Sequence, residues 1–237
     1  MSNHSTALPI YIQISELLTR EITAGLYAAG DRLPPESQLA SKLGVAVGTL
    51  RKALSELALR GMLERVQGSG TYVRRSDSTA PLGKSVYEFF KLELISGGGL
   101  PTARVLALDR IATPAAFRTS LSSQCYRVRR LRLLGGIPVA VEEIYFDAQQ
   151  HPNLQVEDLG EALYQFYKER LGFWIASSED HIGLGCVPDW SPAKLEFHVG
   201  DHCPRVERVA RSSEGRIREY SVTWFDANQC RYVNRMK

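Results

Sequence analysis

The sequence predicts an α+β molecule in two parts: a small helical bundle closed by a β-hairpin, then a larger antiparallel sheet with few helices. Three observations carry this. Apolar residues recur every three or four positions as far as residue 58, and beyond residue 104 they fall into strand-like runs. Between the two patterns, residues 75 to 83, RSDSTAPLG, have no apolar periodicity and are rich in turn formers. The charge is divided too: residues 1 to 76 hold nine Lys or Arg against six Asp or Glu, and residues 77 to 237 hold 20 of each. The net charge of +3 therefore lies wholly in the first part. The expected domains are residues 1–75 and 85–237, joined by a linker at 76–84.

Ile10, Ile14, Leu17, Leu18 and Ile22 share one stripe of a first helix, which Gly25 ends. Leu33-Pro34-Pro35-Glu36 opens a second, because proline suits a first turn and an acidic side chain there complements the helix dipole. Gln38 to Leu43 continue it, and Gly44 supplies the left-handed backbone of a tight exit. Val47, Leu50, Leu54, Leu57 and Ala58 form the stripe of a third helix ending at Gly61. Residues 62–67 and 71–75 then read as a hairpin about Gly68-Ser69-Gly70.

In the second part, strands are expected at 104–111, 126–134, 139–146, 174–184, 205–211 and 218–225, with turns at Gly135-Gly136 and Glu214-Gly215. Helices are expected at 159–171 and, more briefly, at 192–199. Cys125, Cys186, Cys203 and Cys230 are scattered, with no C-x-x-C pair, and read as reduced, half-buried thiols. No run reaches the roughly 18 apolar residues that would span a bilayer, and the opening MSNHSTALPIYIQ lacks the basic and apolar regions of a signal peptide. A cytoplasmic location without a membrane partner is expected.

A basic helical part joined to a neutral one suggests that the first part meets a polyanion. A helix-turn-helix needs an apolar inner face, a turn glycine and polar outward positions, and all three are present. Thr49, Arg51 and Lys52 lie outward on the third helix, and the hairpin adds Gln67, Gly68, Ser69, Gly70, Thr71, Arg74 and Arg75. A helical hairpin with merely solvated charges would share the helix pattern; the glycine-tipped basic hairpin after it argues for DNA. The string LPPESQLASKLGVAVGTLRKALSELALRGMLERVQGSGTYV resembles the winged helix-turn-helix of GntR-type bacterial transcription regulators, and LPIYIQISELLTREITAGLYAAGDRLP resembles the segment preceding it, so that the resemblance covers essentially residues 8 to 75. The resemblance implies binding of double-stranded operator DNA by a homodimer, with the third helix in the major groove and the wing tip near the minor groove. Two of the family's usual arginines are replaced, by Ser37 and by Val47 of the pair Ala46-Val47. Neither Ala nor Val can hydrogen-bond a base edge, so the base pairs facing them are expected to be degenerate or rich in thymine.

RLRLLGGIPVAVEE (130–143), GEALYQFYKERLG (160–172) and REYSVTWFD (218–226) resemble the UTRA effector-binding domain of the HutC branch, which is similar in fold to chorismate lyase. The resemblance implies a small polar or anionic effector at Arg130, Arg132, Glu142, Tyr164 and Glu219. Guanidinium groups hold carboxylates or phosphates in bidentate fashion, while carboxylates and phenols suit hydroxyl or amino groups. Cross-strand salt bridges are the alternative reading of the same charges. Ala162 and Phe89-Phe90-Lys91 make the pocket less suited to a phosphate, and Trp174, Trp190, Phe89 and Phe90 read either as an apolar lining or as plain core.

Two rivals remain: a chorismate-lyase-like enzyme fused to a DNA-binding head, and a DNA-binding protein that ignores small molecules. No Ser-His-Asp arrangement, phosphate loop or metal motif is evident, so neither catalysis nor a cofactor is expected. His198 and His202 stand four apart beside Cys203, but Gly200 and Pro204 argue for a turn rather than a metal-binding helix. A regulator, most simply a repressor, is the expected function.

Overall fold

The apolar stripes of the first part become α1 (Ile10–Thr23), α2 (Glu36–Leu43) and α3 (Val47–Leu59) in a computed structural model. It describes residues 9–23, 25–74, 90–149, 153–159, 163–193 and 195–235. Gly44 closes α2 at φ 67° and ψ 34°, donating its N–H to carbonyls of the last turn, and so turns the chain sharply into α3. Ile14, Leu18, Leu39, Leu50, Leu54 and Leu57 meet in one core, to which Leu33, Met62, Leu63 and Val73 also belong. Inside it, Ser15 of α1 donates to the Ala53 carbonyl of α3 at 3.3 Å, and at its edge the exposed Arg60, just past the end of α3, reaches Glu16 at 2.9 Å. These bonds fix α1 on α3 where packing alone leaves sliding open. β1 (Leu63–Val66) and β2 (Gly70–Val73) pair antiparallel with Val66 opposite Gly70, so the wing tip is Gln67-Gly68-Ser69.

Beyond the wing come β3 (Leu92–Leu94), β4 (Pro101–Ala112), β5 (Gln124–Leu134), β6 (Ile137–Asp147), α4 (Leu163–Arg170) and β7 (Ile175–Cys186). β8 (His202–Ser212), β9 (Ile217–Phe225) and β10 (Cys230–Tyr232) follow. Six of these strands form one antiparallel sheet in the order β4-β5-β6-β9-β8-β7. Both faces of it are covered: Phe166 and Tyr167 of α4 pack against Phe146 on one, and Leu131, Val141, Val187, Leu195, Phe197 and Cys203 cluster on the other. On the central strands β5, β6 and β9 this cover leaves Arg130, Arg132 and Glu219 buried.

The chain divides into two compact units, Leu8–Leu100 with Tyr232–Lys237, and Pro101–Arg231. The linker expected at 76–84 lies outside the described residues, as do Arg75, Phe89 and Ala162. The helix expected at 192–199 does not form. Leu195 and Phe197 are buried in the sheet's second core while Glu196 and His198 are exposed, an alternation that no helix makes. Gly200 at φ 87° and the bond from His198 N–H to the Asp201 carboxylate at 2.8 Å close the segment as a loop. His202 begins β8, so its spacing from His198 is not a helical repeat. Cys125, Cys203 and Cys230 are buried thiols and Cys186 is exposed. Burial pushes the Cys203 thiol up to about 11 and the Cys230 thiol up to about 12.

Candidate nucleic-acid interface and candidate effector site

Between the start of α2, the start of α3 and the wing runs a groove of about 910 Å³. Arg51, Gln67, Gly68, Ser69, Gly70 and Thr71 line it, with Ser37 and Val47 at the positions left without arginine. Thr71 is largely buried, and Val47 is half-buried against the bundle core. Ser69 Oγ and the Tyr72 hydroxyl lie 2.7 Å apart, which ties the tip to its own strand. Thr49 is half-buried on α3, Lys52 is exposed with its ammonium 3.9 Å from the Tyr11 ring centroid, and Arg74 is exposed after β2. Thr49, Lys52 and Arg74 do not line the groove.

Three lining groups escape the sequence reading: Arg32, Glu36 and Arg65. Glu36, at the first position of α2, accepts from Arg51 Nε at 2.6 Å through one oxygen and from Arg65 Nη2 at 2.9 Å through the other. Arg65 Nη1 also donates to Ser55 Oγ at 3.0 Å. One carboxylate therefore joins the third helix to the first strand of the wing. Alternation along β1 is the signal that could have found Arg65, since Leu63 faces the core and Glu64 does not line the groove.

In the second unit the five expected effector residues come together. Antiparallel register sets Arg130 on β5 opposite Glu142 on β6, and Glu142 opposite Thr223 on β9. Arg130 donates from Nε and Nη2 to one Glu142 oxygen at 3.1 and 2.7 Å, and Arg132 Nη1 lies 3.5 Å from the same oxygen. Glu219, opposite Phe146 on the same face, accepts from Tyr167 at 2.6 Å and from Tyr164 at 3.1 Å, so α4 is fastened to the sheet through one carboxylate. Beside them Arg208 of β8 donates from Nε and Nη2 to the two oxygens of Asp180 on β7, both at 2.6 Å. The face thus carries Arg130, Arg132 and Arg208 against Glu142, Glu219 and Asp180.

Their ionisation diverges with their neighbours. Burial opposes the charge on Glu142, but Arg130 and Arg132 outweigh it and hold its pKa below the ordinary carboxylate range. Burial dominates at Glu219 and, with Glu142 nearby, raises its pKa in spite of the Tyr167 bond and the two arginines. Burial, reinforced by the Glu219 carboxylate, drives the Tyr164 and Tyr167 phenols well upward, so both stay donors. Arg208, Asp180 and Tyr167 are the residues that the sequence reading misses here. The signals were a charged residue between inward-facing Val206 and Ala210, and a second tyrosine one helical turn from Tyr164. Trp190 and Trp174 join no common pocket with them: Trp190 packs edge-on against Trp224 in the core of the opposite face, and Trp174 lies under Lys168.

Comparisons with known proteins agree with this division. Residues 10–73 match the bacterial regulatory proteins of the gntR family, and residues 96–231 match the UTRA domain. Over 240 aligned residues, covering 100% of both chains, the sequence is 47% identical to the HTH-type transcriptional regulator SmoD of Agrobacterium fabrum. It is 28% identical, over 95% of each chain, to the mannosyl-D-glycerate transport/metabolism system repressor MngR of Escherichia coli. The crystal structure of the possible transcriptional regulator YydK from Bacillus subtilis superposes with a TM-score of 0.54 at 22% identity, covering 96% of this chain and 99% of that one. The ligand-binding domain of a GntR-family regulator from Bordetella bronchiseptica gives 0.55 at 16% identity, covering 62% and 96%. At such identities the structural likeness speaks for the fold alone.

Proposed function

Because the chain belongs to the GntR family of bacterial transcription regulators, in the HutC branch that carries a UTRA domain, it is a DNA-binding regulator under ligand control, and we propose that it is a cytoplasmic repressor released by a small polar or anionic metabolite. The observation that carries the effector half is the buried charged face beneath α4. Arg130 and Arg132 converge there on one carboxylate oxygen, and two phenols converge on another carboxylate. Such a face offers donors to a carboxylate and both donors and acceptors to hydroxyl groups. Arg130, Arg132, Glu142, Tyr164 and Glu219 are the proposed contacts. The relatives named for mannosyl-D-glycerate and for fructoselysine utilisation support a sugar derivative bearing a carboxylate. Their names, like that of NagR, also support repression.

On the DNA side, Thr49, Arg51, Lys52, Gln67, Gly68, Ser69, Gly70, Thr71 and Arg74 are the proposed contact surface, with α3 in the major groove. Two such surfaces are needed to read a two-fold operator, so a homodimer held by the second unit is part of the proposal. The test is direct. A duplex is selected from a random pool by the full chain, and its affinity is then measured against a panel of carboxylate-bearing sugar derivatives, mannosyl-D-glycerate first. One of them is expected to lower operator affinity by about 5- to 150-fold, the usual range of coupling between two sites. If compounds that raise the melting temperature of the protein leave operator affinity unmoved, the effector reading fails and ligand-independent binding replaces it. Light scattering that finds only the mass of one chain, with and without the duplex, overturns the dimer.

A further inference from the structure

The groove between α2, α3 and the wing carries three guanidinium groups, those of Arg32, Arg51 and Arg65, against the single carboxylate of Glu36. A net positive concavity formed by a recognition helix and its wing is where a phosphate backbone is accommodated. Around Ser37 and Val47, at the starts of the two helices, the guanidinium groups of the groove come from α3 itself (Arg51), from the segment before α2 (Arg32) and from β1 (Arg65). We propose that Arg32 and Arg65 contact operator phosphates in this groove, and that Glu36 is the positioning residue that aims Arg51 and Arg65 into it.

The geometry supports each role. A methyl group built on Gly70 would lie 2.7 Å from Arg32 Nε, so this guanidinium rests against the wing just where the strand leaves its tip. A backbone bridge between Arg32 and Tyr72 fixes the segment there. Each guanidinium has five N–H donors. Glu36 takes one from Arg51 and one from Arg65, and Ser55 takes a second from Arg65, leaving the remaining donors to a ligand. The Arg51 side chain is 63% exposed and that of Arg65 40%, so both tips are within reach of DNA. Held by one carboxylate, two long side chains lose rotamer freedom before DNA arrives, which lowers the ordering cost of binding.

This inference rests on the reading of the helix-turn-helix face as the DNA surface, and the experiment separates the two. The probe is a duplex selected from a random pool by the unmodified full-length chain, with affinity measured across a salt series. Arg32→Gln and Arg65→Gln are each expected to weaken binding about 10-fold and to flatten the salt dependence by about one unit of slope, with an unchanged melting temperature. Glu36→Gln is expected to weaken binding at an unchanged slope, since it removes no cation. Its effect should also fail to add to that of Arg65→Gln, because the two residues act as a unit. Arg51→Gln is the reference. If it weakens binding while Arg32→Gln and Arg65→Gln leave affinity and slope at the unmodified values, the inference falls and the DNA face stands. If Arg51→Gln is silent as well, the DNA face falls with it. A loss of affinity in Arg32→Gln and Arg65→Gln at unchanged slope marks a structural role and also overturns the inference, and additive effects of Glu36→Gln and Arg65→Gln overturn the role of Glu36.

Discussion

Glu142 and Glu219 stand on one face of the same sheet, yet their neighbours drive their ionisation in opposite directions. Glu142 is depressed because Arg130 and Arg132 outweigh its burial, so the stability it contributes is present above the ordinary carboxylate value and lost as pH falls through its folded pKa. Glu219 is raised, chiefly by burial, so the folded state holds its proton more tightly than the unfolded chain. Its contribution is complete below the unfolded value of 4.5 and is lost as pH rises through the folded one. Urea unfolding over a pH series should therefore show Glu219→Gln falling less steeply than the unmodified chain as pH rises above 4.5. Glu142→Gln should lose its acid-side slope and, at neutral pH, be weaker by about 3 to 5 kcal/mol, the usual cost of removing one partner from a buried ion pair. Matching slopes for Glu219→Gln and the unmodified chain would remove the basis for treating its carboxyl as burial-dominated. Legibility differs among these side chains. Arg130, Arg132 and Glu142 were readable through the resemblance carried by RLRLLGGIPVAVEE, whereas Arg208 and Asp180, which pair across β8 and β7, lie outside every string that carries it.

At the scale of the element, α2 and α3 depend on the turn between them. Gly44 has its φ at 67°, and nothing lies within 4 Å of where a Cβ would stand, so a side chain there meets backbone strain and no collision. Gly44→Ala should cost about 1 to 2 kcal/mol by urea unfolding, and Gly44→Asn less, because Asn tolerates the left-handed region. Equal stability of Gly44→Ala and the unmodified chain would mean that the turn relaxes into another geometry. Such local requirements explain why α1, α2, α3 and the wing are legible in the sequence: stripe, proline entry and glycine exit are all short-range signals. The segment at 192–199 failed for the complementary reason. Pro192 mimics a helix entry, but Leu195 and Phe197 are anchors of a loop pressed onto the far side of the sheet, and that demand is set by Leu131, Val141 and Cys203. β3 and β10 were missed because three residues are too few to show alternation.

For the whole molecule, the functional question is how a ligand in the second unit changes the grip of the first on DNA. A ligand shifts an equilibrium only by its differential affinity for the two arrangements, so operator DNA must weaken ligand binding by the same factor. Arg132 offers a way to break this coupling without harming the DNA face. It lies 3.5 Å from the Glu142 oxygen that Arg130 already holds at 2.7 Å, so Arg132→Gln leaves Glu142 neutralised and the sheet pairing intact. The variant should keep the operator affinity and salt dependence of the unmodified chain, because those arise in the basic first unit. It should bind the effector roughly tenfold or more weakly, the loss expected when a charge-assisted bond of about 1.5 to 3 kcal/mol is removed. Titration calorimetry in the absence and presence of saturating operator measures both terms. Unchanged effector affinity in Arg132→Gln would place the ligand away from the charged face. Weaker operator binding without ligand would show instead that this face sets the resting balance between the two arrangements, with Arg132 holding the DNA-competent one.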